Sequence, residues 1–257
     1  MNQAKNDAFP GSGSIVVVVP LDGTNAVFND PESSNYFSDI GIRHGFVKKV
    51  YGIVLVQLLV TTLMCFTFLS SNDLVSYVQK NSWVFKTVLI FTIVLMLVVS
   101  IVLQRDRSTH NQQMSLLGLF TVTESILVSI VASYYPTSSL LVAVGITTGV
   151  VVVLSLFASQ VTYDFTGWGP YILVASLMFL LFSFALMVIG PNDVTKYVYM
   201  GIGVSLYSMF LVYDTQLIIG GKHRKYALQP DDYVLGALLL FTDIIGLFLL
   251  LLGIGNE

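Results

Sequence analysis

The chain has 257 residues, of which 55% are hydrophobic and only 11% charged, against about 25% charged in an ordinary soluble domain. That composition excludes a water-soluble globule and marks a membrane protein. A net charge of −3 without a basic surplus argues against a nucleic-acid partner, and the single cysteine, Cys65, excludes an intramolecular disulfide and a multi-cysteine metal site.

Residues 1–40 are rich in Asn, Asp, Ser, Gly and Pro and read as a disordered tail. Their one apolar run, "SIVVVVP", is too short for a signal peptide and lacks a charged leader, so the first long span is expected to act as the insertion signal. From residue 41 to 257 the chain reads as one membrane domain. A spanning helix needs about 20 apolar residues. Seven segments qualify: Val50–Ser70, Trp83–Leu103, Ser115–Tyr135, Leu140–Ala158, Pro170–Ile189, Tyr197–Ile219 and Tyr233–Ile254. The turn signals "SSND", "YYPTS", "TGWGP", "GPND" and "GG…QPDD" separate them.

Basic residues set the expected orientation. Lys5, Arg43, Lys48, Lys49, Arg105, Arg107, Lys222, Arg224 and Lys225 fall on one side of a seven-span chain, and Lys80, Lys86 and Lys196 on the other. The N-terminus is therefore expected in the cytosol. His44, His110 and His223 stand in loops or flanks at no metal-ligand spacing. Trp83, Trp168 and Tyr171 read as interfacial anchors.

Three acids lie inside spans: Glu124, Asp214 and Asp243. An Asp at the centre of a membrane helix costs about 2.5–3.5 kcal/mol, which the surrounding Leu, Ile and Phe offset at roughly 0.3–0.6 kcal/mol each. No Lys, Arg or His lies deep in any span. Unpaired carboxyl groups at such depth read as functional, binding a proton or a metal cation. At a rise of about 1.5 Å per residue, Asp214 lies roughly 9 Å, Asp243 roughly 15 Å and Glu124 roughly 14 Å inside the cytosolic edge. A short loop makes the sixth and seventh spans antiparallel neighbours, so Asp214 and Asp243 are expected to meet. Gly236, Leu239, Asp243, Gly246, Leu250 and Gly253 form a stripe suited to close helix contact. Gly203, Tyr207 and Asp214 form another, with Tyr207 and Tyr213 as candidate hydrogen-bond donors to the acids. Gly145-x-x-x-Gly149 reads either as a close-packing signal or as ordinary glycine usage.

Several blocks resemble the transmembrane BAX inhibitor motif proteins, the Bax inhibitor and Lifeguard family. They are "IRHGFVKKVYGIVLVQLLVTT" (42–62), "GLFTVTESILVSIVASYY" (118–135), "QVTYDFTGWGPYI" (160–172) and "YDTQLIIGGKHRKYALQPDDYVLGALLLFTDIIGLFL" (213–249). The resemblance spans about residues 41–255 and favours the Lifeguard branch, since the chain stops at "GIGNE" without a basic C-terminal tail. It implies an all-α bundle in which six transmembrane helices surround the seventh. It implies calcium leak from intracellular stores, suppression of cell death, and a Golgi or endoplasmic-reticulum membrane, with the plasma membrane as the further option. The family's pH-sensing aspartate pair falls on Asp214 and Asp243, and its third-span acid of the ion pathway on Glu124. The second span carries no inner arginine to pair with the aspartates, a departure from a bacterial relative. Asp164, in the block between the fourth and fifth spans, reads as a structural turn.

The expected partners are therefore calcium ions, protons, the lipid bilayer and cell-death regulatory proteins. No cofactor is expected, and any calcium held by Asp214 and Asp243 is transient. A pH-sensitive leak channel stands against a Ca²⁺/H⁺ exchanger and a non-conducting anti-apoptotic scaffold. An enzyme is not expected: an intramembrane aspartyl protease would share "VYD" (212–214), but "LFTD" (240–243) lacks the Gly-x-Gly-Asp of its second half.

Overall fold

A computed structural model describes residues 31–103, 110–190, 192–220 and 225–254. Its helices are α1 (Pro31–Leu69), α2 (Asn72–Lys80), α3 (Ser82–Leu103), α4 (His110–Ala132), α5 (Thr137–Gln160), α6 (Gly169–Ile189), α7 (Asp193–Ile219) and α8 (Tyr233–Ile254), with a 3₁₀ turn at Thr166–Trp168. All but α2 are long and apolar enough to cross a membrane, which makes seven spans among the described residues. The chain is thus a multi-pass integral membrane protein. Lys5, Arg105, Arg107, Lys222, His223 and Arg224 lie outside the described residues, as does the tail up to residue 30.

Helix α1 runs from Pro31 to Leu69. Proline suits a first helical turn because its missing N–H has no partner there in any case. The "SSND" turn also opens a short helix. Ser71 caps α2, its side chain accepting from the Leu74 N–H, and Val78 is buried. Gln79 Nε2 donates to the Ser133 carbonyl at 2.7 Å, which ties α2 to the end of α4.

Helix α8 is the most deeply buried span. Val234, Ala237, Leu238, Leu240, Phe241 and Leu247 are buried along one half of it, and every other residue from Tyr233 to Gly253 is buried or half-buried. A helix apolar on every side belongs inside a bundle, and α3, α4, α5 and α7 pack directly on α8. Helix α1 adds Phe46, Val50 and Val54 to the same core, and α6 packs on α7. Phe120 of α4 meets Phe241 edge to face, with ring centroids 6.3 Å apart. This is the expected arrangement around a central seventh span.

Breakers end the helices on either side of the site. Gly190 closes α6 at φ 84° and Gly220 closes α7 at φ 61°, values that cost a side-chain-bearing residue strain. Asn192 then opens α7 through a capping box with Thr195, at 2.8 and 2.9 Å. Gly145 and Gly149 face open space, with no atom within 4 Å of an added Cβ. Their spacing is therefore not used for packing among the described residues.

Candidate ion and proton site between the last two spans

Helices α7 and α8 run antiparallel, with small residues on one set against large side chains on the other. Gly236 lies against Ile218, Gly246 beneath the Tyr207 ring, Leu250 against Gly203, and Gly253 against Met200. Both stripes read from the sequence thus face one another, and the close approach follows from the absent side chains.

Asp214 and Asp243 fall in the middle of this seam. Both are buried, 3% and 5% exposed. Their carboxyl groups stand within side-chain hydrogen-bonding reach of each other, a contact that needs a proton on one carboxyl group to donate to the other. Counting residues from the helix ends left the two about 6 Å apart in depth. The side chains bridge that gap: a helical Cα–Cβ bond tilts toward the N-terminus of its own helix, so in antiparallel α7 and α8 the two carboxyl groups lean toward each other in depth. No amide or hydroxyl among the described residues donates to Oδ2 of Asp243. The neighbouring Thr215 hydroxyl is buried and likewise without a partner.

Tyr207 stands over the pair. Its ring occupies the space above Gly246 and lies within electrostatic reach of both Asp243 and Glu124. Glu124, on α4, is half-buried and stands beside the site without joining the carboxyl pair. Tyr213 does not serve as a donor to the acids: its hydroxyl packs against Gly169, at the start of α6. Successive helix residues point about 100° apart, so Tyr213 and Asp214 stand on different faces of α7.

The site is held from its outer end by side chains that sequence reading did not single out. Arg43 of α1 caps α7, donating from Nε to the Ile219 carbonyl at 2.9 Å and from Nη2 to the Leu217 carbonyl at 3.0 Å. Nη1 donates to the Leu228 carbonyl at 2.5 Å, in the loop before α8. The Leu217 and Ile219 carbonyls lie in the last turn of α7, where intrahelical partners run out, although Leu217 also accepts from the Leu228 N–H at 2.9 Å; one planar guanidinium reaches all three acceptors. Arg43 therefore does not act as the missing second-span arginine; it binds backbone, one to two turns outside Asp214. Arg43→Lys, with a single compact ammonium group, is expected to destabilise the protein by about 1–3 kcal/mol. Thermal unfolding in detergent checks this, and an unchanged midpoint would show the clasp to be dispensable.

Gln216 fixes the opposite side of α7. Fully buried, its Nε2 donates to the Ala158 and Tyr163 carbonyls at 3.3 and 3.1 Å, while its Oε1 accepts from the Phe165 N–H at 2.8 Å. Asp164 accepts from the N–H and hydroxyl of Thr166 through Oδ1, and from the Lys225 N–H through Oδ2 at 2.7 Å. The block around Asp164 is thus the structural turn the sequence suggested, and it also ties the α5–α6 connection to the α7–α8 loop.

A polar ladder runs between α1 and α4. Gln57 Nε2 donates to Thr121 Oγ1 at 2.9 Å, Thr61 and Ser125 share a hydrogen bond at 2.9 Å, and Cys65 meets Ser129. Each set repeats every four residues, so the signal was present in the sequence as two polar stripes on otherwise apolar helices. Among the described residues, no group of three or more His, Cys, Asp or Glu is positioned to hold a metal ion. His110 is instead engaged with the Tyr233 hydroxyl, 2.9 Å away.

The chain was compared with known proteins. Residues 43–256 match the family model described as "Inhibitor of apoptosis-promoting Bax1". The chain belongs to the Bax inhibitor family. Within this family it is 29% identical to human protein lifeguard 3 over 88% of its own length and 73% of the relative's. It is 30% identical to the mouse protein of that name, over 82% and 69%. It is also 30% identical to the Golgi anti-apoptotic protein of vaccinia virus (strain Lister), over 86% and 88%. The matched region of this Bax inhibitor family chain contains both aspartates, Glu124, Arg43 and the Asp164 turn.

Proposed function

We propose that this protein is a pH-sensitive calcium leak channel of an intracellular membrane, and that it suppresses cell death by lowering calcium stores. The observation that carries the reading is the hydrogen-bonded pair Asp214–Asp243, buried between two spans. While one proton is shared, the pair fastens α7 to α8. When the proton leaves, two negative charges face each other at low dielectric, where repulsion is strong. The helices then part and open an acidic path past Tyr207 and Glu124. Calcium competes with the proton for the same hard carboxylate oxygens. Two carboxyl groups fall well short of the six to eight oxygens of a resident calcium site, which suits an ion in transit. The protein is not an enzyme on this reading.

The clasp made by Arg43 and the turn around Asp164 hold the outer end of the seam, so separation occurs inside a fixed frame. The distribution of basic residues in the sequence supports a cytosolic N-terminus. The names of the relatives support an anti-apoptotic role and a Golgi membrane. Calcium flux from dye-loaded liposomes holding the purified protein tests the proposal. Flux that rises from mildly acidic to mildly alkaline buffer supports it. Flux no greater than from empty liposomes at every pH, with the protein folded, overturns it in favour of a non-conducting scaffold.

A further inference from the structure

A groove of about 560 Å³ opens on the lipid-facing side of the bundle between α1 and α4. It exists because glycines stand on both walls: a Cβ added at Gly52 or at Gly118 would meet nothing within 4 Å. Ile53, Val56, Val60 and Val122 make its sides apolar, and Lys48 and Lys49 stand at its mouth. Both lysines are exposed. The Lys49 ammonium lies 5.0 Å from the centroid of the Tyr233 ring, and that tyrosine also lines the groove and is bonded to His110. The positive end of the groove is thereby held in place. From Lys49 to Val60 the groove follows α1 for about 16 Å, close to half of the roughly 30 Å hydrocarbon core.

We propose that this groove is a binding site for one anionic phospholipid, its phosphate at Lys48 and Lys49 and one acyl chain laid along Gly52, Val56 and Gly118. Charge and shape both point to that occupant. The two ammonium groups demand a negative headgroup, and the uncharged channel beyond them is one leaflet deep. A zwitterionic lipid fills the channel equally well but leaves the lysines without net compensation. A peptide would bring a backbone donor and acceptor at every residue, whereas Gln57 and Thr121 are, among the described residues, the only polar side chains along the channel beyond the lysines and Tyr233. The site is separate from the carboxyl pair, since it lies on the outer face of α1 and α4.

The test is native mass spectrometry of the full chain released from nanodiscs of phosphatidylcholine doped with phosphatidylserine. The wild type is expected to retain one phosphatidylserine in preference to phosphatidylcholine. Each surface lysine contributes about five-fold to attraction of an anionic lipid, so Lys48→Gln with Lys49→Gln is expected to reduce the preference by roughly twenty-five-fold. Gly118→Leu, which fills open space, is expected to expel both lipids without lowering the melting temperature. Gly52→Leu provides the same test from the other wall if the first variant does not fold. Equal retention of the two lipids by the wild type would overturn the proposal, as would a serine-lipid preference that survives loss of both lysines.

Discussion

Asp243→Asn is expected to give a protein whose calcium flux is low and flat with pH, where that of the wild type rises with pH. The amide of Asn donates a permanent hydrogen bond to Asp214, standing in for the shared proton of the wild-type pair. It cannot be titrated away, so α7 and α8 stay fastened. In the wild type the deprotonated fraction changes roughly ten-fold per pH unit below the midpoint, the slope of one proton equilibrium. Stabilisation of the closed pair is thus fully present in acid and is lost as pH rises. Asp214→Asn acts in the same way from the other helix. The double variant removes both carboxyl groups and with them the whole response. A double variant that folds and keeps the wild-type pH profile would remove the pair from the mechanism.

Gly246→Ala is expected to be the most damaging single methyl addition in the α7–α8 seam. The new Cβ would lie inside the Tyr207 ring, which cannot swing away as a flexible chain would. Overpacking of this kind costs about 1–3 kcal/mol, against a gain of about 1 kcal/mol from replacing glycine in a helix. Gly145→Ala keeps the propensity gain without the collision, because nothing stands within 4 Å of its Cβ. Thermal unfolding should therefore move in opposite directions for the two variants. Tyr207→Ala in the Gly246→Ala background should recover part of the loss, since the two side chains occupy one space. Equal midpoints for both glycine variants would mean that the seam does not depend on this contact. The clash also pushes the helices apart one turn from the aspartates, so flux should lose its pH dependence along with stability.

The seven spans were legible because membrane crossing depends on length and apolar composition alone, both of which are local properties. For the same reason α2 was missed: nine residues of mixed polarity carry no spanning signal, and the helix stands by docking on α4 through Gln79. Meeting of Asp214 and Asp243 was legible from the short connection and the glycine stripes. The partners of Tyr213 were not, because a helix position specifies a direction but not which neighbour stands there. Gly145 and Gly149 make the same point from the other side: a spacing that permits close contact does not supply a partner.

What the sequence determined by itself is the membrane class, the number of spans, the glycine stripe around Asp243 and the presence of acids without nearby bases. Each follows from composition or helical period, which act over a few turns of one chain segment. Only the tertiary structure decided that the Asp214 and Asp243 side chains lean toward each other across the α7–α8 seam. It alone assigned Arg43 to the carbonyls of α7 and Gln216 to the α5–α6 turn. Those contacts join residues more than fifty positions apart, and nothing local in the chain encodes which orphaned backbone group a distant side chain will satisfy.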